Sequence, residues 1–283
     1  MPWYFFAIVS VFGVSIATLL ERVLMKEENS NPISYAIIFQ FLVGFISLGF
    51  TLLLNKFVLP TNINLLPRFL VSSFLWAGMT VFNFKAIKTL TAGEITILGT
   101  SGTVISILLG VLFLGETLKI SGILGILLIF LAIIIINTEK LSFNSKKGVF
   151  FALLSAVCGG IAVVNDAVIL KSYEAFSYMT IISLLPGLIL LLLFPKQFIE
   201  SKKLINLKRI RLMIVFCIFY SIQGIAYYLA FQKDAPVSQL SPLVRSSIVL
   251  TVLLGAIFLK ERQDLVKKLF AAVIVSAGAI LVR

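Results

Sequence analysis

Gly110-Val-Leu-Phe-Leu-Gly-Glu116 closes one apolar stretch of the chain, and Gly255-Ala-Ile-Phe-Leu-Lys-Glu261, 145 residues later, closes another. The same offset relates Glu21 to Asp166 and Lys26 to Lys171, near the ends of two further apolar stretches. A constant offset at several places is the mark of an internal duplication. If each copy holds an odd number of membrane-crossing helices, the second copy starts from the opposite side and lies inverted. Inverted copies around a midplane site are a common plan for membrane transport.

Composition decides the environment. The chain has 283 residues, 60% of them hydrophobic and only 13% charged, with a mean hydropathy of +1.10. A water-soluble domain has far less apolar and far more charged sequence. In hydrocarbon every backbone N–H and C=O must bond within the protein, so spans are helices or a closed barrel. The apolar runs are about 18–24 residues long without polar alternation, which fits helices and not barrel strands. The expected location is the cell membrane, with the lipid bilayer as the first partner.

Ten spans are legible, at approximately 4–24, 33–55, 66–88, 91–114, 119–137, 148–170, 175–194, 209–232, 237–259 and 264–282. This predicts an all-α membrane protein of ten transmembrane helices, arranged as two inverted five-helix repeats. The first repeat is 1–138, the inter-repeat loop 139–147 and the second repeat 148–283. The first run lacks a basic leader and a small-residue cleavage site, so it reads as a retained helix. The net charge of +12 sits mostly in loops, where Lys and Arg set membrane orientation and imply no nucleic-acid partner. Setting Lys85 and Arg245 aside, 16 of the other 22 basic residues fall in loops after odd-numbered spans. That count puts those loops in the cytoplasm and both termini outside.

These features resemble the ten-helix branch of the drug/metabolite transporter superfamily, the EamA-type transporters. The resemblance rests on the length, the five-plus-five repeat and the stretches Gly110–Glu116 and Gly255–Glu261. It rests also on Tyr227-Tyr228-Leu-Ala-Phe-Gln-Lys-Asp-Ala-Pro-Val-Ser-Gln-Leu-Ser-Pro242, which is similar to the family's passage between spans eight and nine. The resemblance implies a transporter of small solutes. It also implies cytoplasmic termini, opposite to the charge count, and the sequence leaves both orientations open. One departure is that Ile97 stands opposite Pro242, so a helix break at that level is expected in one half only.

Charged groups inside a span cost at least about 2.5–3.5 kcal/mol at its centre and usually face a cavity or a partner. Arg245 lies about 12 Å into span nine, at 1.5 Å per residue, and Pro242 loosens the helix just before it. A guanidinium fork there suits a carboxylate or phosphate on a solute; a structural ion pair is the other reading. Lys85, near the end of span three, either snorkels to the interface or lines the cavity. Asp166 and Glu21 occupy equivalent positions of the two copies. They are candidate counterions for Lys85 and Arg245 and candidate proton carriers, protons being a possible coupling ion; a solvated helix end is the alternative. Glu94 reads as a cap on span four.

Polar faces complete the candidate cavity: Trp76 with Thr80 and Asn83 in span three, Tyr220 with Gln223 and Tyr227 in span eight, and Ser238 and Ser241 beside Arg245 in span nine. Thr96, Thr100 and Thr103 in span four fit close helix packing as well as a cavity. The substrate-binding candidates are therefore Arg245, Lys85, Trp76, Asn83, Gln223, Tyr227 and Thr100.

The first functional reading is a secondary transporter moving a small organic solute, such as an amino acid, metabolite or drug-like molecule, by alternating access, with export as one direction left open. An organic-phosphate or nucleotide-type solute exchanger is the alternative within transport. A non-transporting membrane scaffold is the alternative outside it. No GxxxxGK[ST] supports ATP as energy source. With no His and no HExxH, GxSxG or GxGD signature, no enzyme is expected, and neither metal nor cofactor is called for. Cys158 and Cys217 lie inside spans without CxxC spacing.

Overall fold

The computed structural model describes residues 1–25, 31–90, 92–137, 145–200, 207–258 and 265–282. Lys26, the part 139–144 of the inter-repeat loop, the end 259–261 of the second quoted stretch and the Thr96 side chain lie outside the described residues.

The described residues form helices α1 (Trp3–Met25), α2 (Pro32–Leu53), α3 (Leu66–Ile87), α4 (Ala92–Leu114), α5 (Ile120–Asn137) and α6 (Lys146–Leu170). They continue as α7 (Ala175–Leu193), α8 (Pro195–Glu200), α9 (Leu207–Phe231), α10 (Val237–Arg245), α11 (Ser247–Phe258) and α12 (Leu265–Val282). Six are long and apolar enough to cross a membrane: Trp3–Glu21, Pro32–Leu53, Ile63–Ile87, Lys146–Leu170, Ala175–Leu193 and Ile210–Phe231. The remaining spans are α4, α5, the α10–α11 pair and α12. The short α8 is a connector between the seventh and eighth spans.

Local chemistry starts and stops these helices. Asn31 accepts from the Ile33 N–H with Pro32 in the first helical position of α2, Ser145 caps α6, and Glu174 caps α7, each satisfying a backbone donor that the helix leaves over. Span nine is divided at Ser246. Pro242 has no N–H to give to Ser238, and the Ser246 N–H is shared between the carbonyls of Pro242 and Leu243, at 3.1 and 3.2 Å. Its counterpart α4, with Ile97 where span nine has Pro242, runs unbroken from Ala92 to Leu114.

The packing obeys an exchange rule. Swapping each span for the one five later turns the α1–α9 pair into α6–α3, α2–α9 into α7–α3, and α4–α6 into α10–α11 against α1. The α2–α7 and α5–α12 pairs map onto themselves. The halves are thus related by a two-fold operation, and five spans per half make the relation an inversion. Glycine fixes the self-paired seam: a Cβ on Gly125 would stand 2.6 Å from the Gly278 carbonyl oxygen, and one on Gly278 2.8 Å from that of Gly125. Backbones approach this closely in membranes through small residues.

Helices alternate in direction, so the chain has a near face, where α1 begins, and a far face. The near face is tied by polar contacts. Ser177 Oγ donates to the Lys56 carbonyl at 2.7 Å and accepts from the Val58 N–H at 2.9 Å. The Tyr173 hydroxyl donates to the Val58 carbonyl, and Gln232 Nε2 donates to the Tyr173 carbonyl at 2.7 Å. Between the faces, α2, α3, α7 and α9 enclose a core rich in rings, with Phe39 edge-on to Tyr220 at 4.8 Å and Tyr178 edge-on to Tyr228 at 4.9 Å.

Candidate functional site

Asp166 lies one turn before the end of α6, on the near-face side, and is 0% exposed. Four side chains from three other helices donate to its carboxylate. Oδ1 accepts from Ser72 Oγ at 2.6 Å and from the Tyr178 hydroxyl at 2.5 Å. Oδ2 accepts from Trp76 Nε1 at 2.8 Å and, more weakly, from the Tyr228 hydroxyl at 3.4 Å. Asn165 supports the cage, donating to Ser72 Oγ at 2.7 Å and to the Arg68 carbonyl at 2.8 Å. A carboxylate offers about four acceptor sites, so this one is saturated by neutral donors. Neither Lys85 nor Arg245 is among the hydrogen-bond partners of Asp166. Four dipoles from α3, α7 and α9 do the work of a counterion, and both cations are engaged elsewhere.

Arg245 ends α10 at the break in span nine and reaches across to the first repeat. Its Nε donates to Thr103 Oγ1 at 3.3 Å and its Nη2 to the Gly99 carbonyl of α4. Gly99 makes this approach possible, since a Cβ there would stand 3.1 Å from Nη2. These partners are neutral, so neither cancels the guanidinium charge. One turn before it, the Ser241 hydroxyl meets the Tyr227 hydroxyl of α9 at 3.3 Å, and Tyr227 packs edge-on against Phe231 at 4.9 Å. Arg245, Tyr227 and Ser241 thus form one group where α4, α9 and α10 meet.

The other sequence candidates separate. The Lys85 ammonium sits 5.1 Å over the Phe151 ring, at the end of the α3–α6 pair opposite Asp166. Gln223 Oε1 accepts from Ser10 Oγ at 3.3 Å and its Cβ is pressed towards Gly13, which places it in the α1–α9 seam. Asn83, Thr100 and Glu21 are half-buried, and Glu21 lies within electrostatic range of Tyr220. Glu94 is buried in the first turn of α4.

Several contributors were not singled out from the sequence. Glu116, known there only as the end of a repeated stretch, caps α10: Oε1 accepts from the Val237 N–H at 2.6 Å and Oε2 from the Ser238 N–H at 2.8 Å. Gly115, at φ +67, supplies the left-handed turn that delivers it, a conformation that glycine adopts without penalty. Tyr178 and Ser72 complete the Asp166 cage. A Tyr inside an apolar span was the available signal for the former, because a buried phenol needs a partner. Buried Gln40 donates to Thr80 Oγ1 at 2.8 Å and fixes α2 against α3. No group of three or more His, Cys, Asp or Glu suited to a metal occurs among the described residues.

These features define an integral, multi-pass helical membrane protein made of two inverted repeats, with ionic groups held inside it. The family model for the EamA-like transporter family matches residues 1–138 and again 146–283, and the chain belongs to that family. Its members are membrane transporters of small solutes. A solved structure described only as a crystal structure of a protein superposes with a TM-score of 0.78 at 14% identity, covering 99% of this chain and 96% of that one. That likeness supports the fold. No curated protein matches the chain.

Proposed function

We propose that this EamA-family protein is a secondary transporter that moves a small organic solute by alternating access. In this reading, Arg245 receives a single carboxylate or comparable anionic group of the solute. The supporting observation is that Arg245 stands at the broken span nine and is held by neutral groups of the opposite repeat. A cation so placed keeps its charge for a ligand, and a solute competing for it loosens the contact between repeats. Trp76, Tyr227 and Tyr220 offer flat surfaces for the rest of the solute. One strong cation suits an amino acid or monocarboxylate better than a phosphate-rich solute.

Protons are the proposed coupling ion, carried by Asp166. Three of its four donors are hydroxyls, which also accept, so a protonated Asp166 needs one of them to give up its donated bond. Tyr228 makes the longest contact and is the one to release. Proton uptake then loosens α9 from α6, coupling charge to shape.

The test is solute flux in reconstituted vesicles across amino acids, carboxylates and organic phosphates. Arg245→Lys keeps the charge but loses the fork, and is expected to slow carboxylate flux at least tenfold; Arg245→Ala should abolish it. A pH gradient should accelerate wild-type flux but not that of Asp166→Asn. Flux by wild type that Arg245→Ala leaves intact would remove the proposed site. Absence of flux for every solute would favour a scaffold.

A further inference from the structure

Four lysines converge on one corner of the far face, where α3 ends and α6 begins. The two helices run antiparallel in contact, with Ser72 beside Asp166 at one end and the Lys85 ammonium over Phe151 at the other. Lys88 is one turn beyond Lys85, and Lys147 one turn before Phe151. Thr89 closes the corner: a Cβ on Gly148 would collide with Thr89 Oγ1. Lys88, Lys146 and Lys147 are exposed and Lys85 is half-buried. Glu94, the described acid closest along the chain, is only 2% exposed.

The surface descending from these lysines is apolar and faces outward. Phe150, Leu153, Val157 and Ile161 are 58%, 41%, 40% and 38% exposed. They form a single helical stripe reaching about 16 Å into the membrane at 1.5 Å per residue. The second repeat has no such corner: Ala230 and Lys233 stand where the first has Lys85 and Lys88, and Met1 and Pro2 correspond to Lys146 and Lys147. The patch is thus no inherited part of the duplicated core. Clustered lysines at a membrane interface attract anionic lipid headgroups, and basic sites between helices hold them.

We propose that this corner is a binding site for an anionic phospholipid, its phosphate on the four lysines and an acyl chain along the α6 stripe. A lipid seated there bridges α3 and α6, the two helices that carry Ser72, Trp76 and Asp166.

Native mass spectrometry of the purified full-length protein, with phosphatidylglycerol or phosphatidylcholine of identical chains added, tests the site. Two variants remove equal charge: K85Q/K88Q/K146Q/K147Q on the far face and K56Q/K119Q/K171Q/K233Q on the near face. Wild type and the near-face variant should retain phosphatidylglycerol in preference to phosphatidylcholine, and the far-face variant should lose that adduct at least tenfold. Equal loss in both variants, retention by the far-face variant, or equal retention of the two lipids by wild type would overturn the proposal. Inorganic phosphate should leave the adduct in place; displacement by phosphate would show a simple anion site and overturn the lipid assignment. Should the quadruple far-face variant not fold, K146Q/K147Q, which changes two exposed side chains, should still lose the adduct several-fold, and full retention by it would overturn the proposal.

Discussion

Replacing Glu116 by Gln tests whether one carboxylate holds the near face together. Glu116 is half-buried and takes the Val237 and Ser238 N–H groups at 2.6 and 2.8 Å on its two oxygens. Gln keeps one oxygen and turns an NH2 towards the other donor. The loss is one hydrogen bond to a charged group, about 1.5–3 kcal/mol, and a negative charge at a helix start, about 0.3–1 kcal/mol. Partial exposure favours the lower end, about 2 kcal/mol. At 1.4 kcal/mol per tenfold, this shifts the balance between tied and released α10 by about 30-fold. The assay is maleimide labelling of S241C, one turn into α10, in a background with Cys158 and Cys217 replaced by Ala. When opening and closing are fast, the labelling rate follows the open population. Glu116→Gln should raise that rate about 30-fold, while S172C in the exposed α6–α7 turn labels equally in both backgrounds. An unchanged S241C rate in a folded Glu116→Gln protein would refute the argument.

Other substitutions separate groups that look alike in sequence. Tyr178→Phe removes a 2.5 Å bond to buried Asp166 and should lower stability by about 1.5–3 kcal/mol, read by thermal unfolding through Trp76 fluorescence. Tyr35→Phe removes a buried hydroxyl that has no partner and should be neutral or stabilising in the same measurement. Gly125→Val drives a side chain into the Gly278 backbone and should abolish monodisperse protein in size-exclusion chromatography. Gly49→Ala, with nothing within 4 Å of the added Cβ, should gain about 0.5–1 kcal/mol from helix propensity.

The ten spans and the two-copy plan were legible because they rest on apolar length and a fixed offset, both properties of the chain alone. The one-sided helix break was legible for the same reason. Pro242 lacks an N–H and Ile97 does not, and α4 is continuous where span nine divides at Ser246. The interior was legible only in part. Asp166 and Arg245 stood out as ionic groups in apolar sequence, but their partners did not, because Thr103 is 142 residues from Arg245 and Tyr178 sits on a helix without another ionic marker. Acids at equivalent positions of the two copies suggested counterions for Lys85 and Arg245; Asp166 and Arg245 are instead bonded to neutral groups, which hydropathy cannot reveal. Glu116 was hidden in another way. Its role lies 121 residues away, and its own copy shows only that the residue recurs.

The division of span nine at Ser246 reaches beyond that helix. α10 is anchored to the first repeat through Glu116 and through Arg245 on α4, whereas α11 meets α1, with Ser15 Oγ donating to the Ser247 carbonyl at 3.0 Å. An unbroken rod would transmit any tilt from one membrane surface to the other. Jointed at mid-depth, with Arg245 on α4 holding one segment and Ser15 bonded to the other, the span gives the proposed transport cycle two segments to swing in turn, one doorway shutting before the other is unlocked.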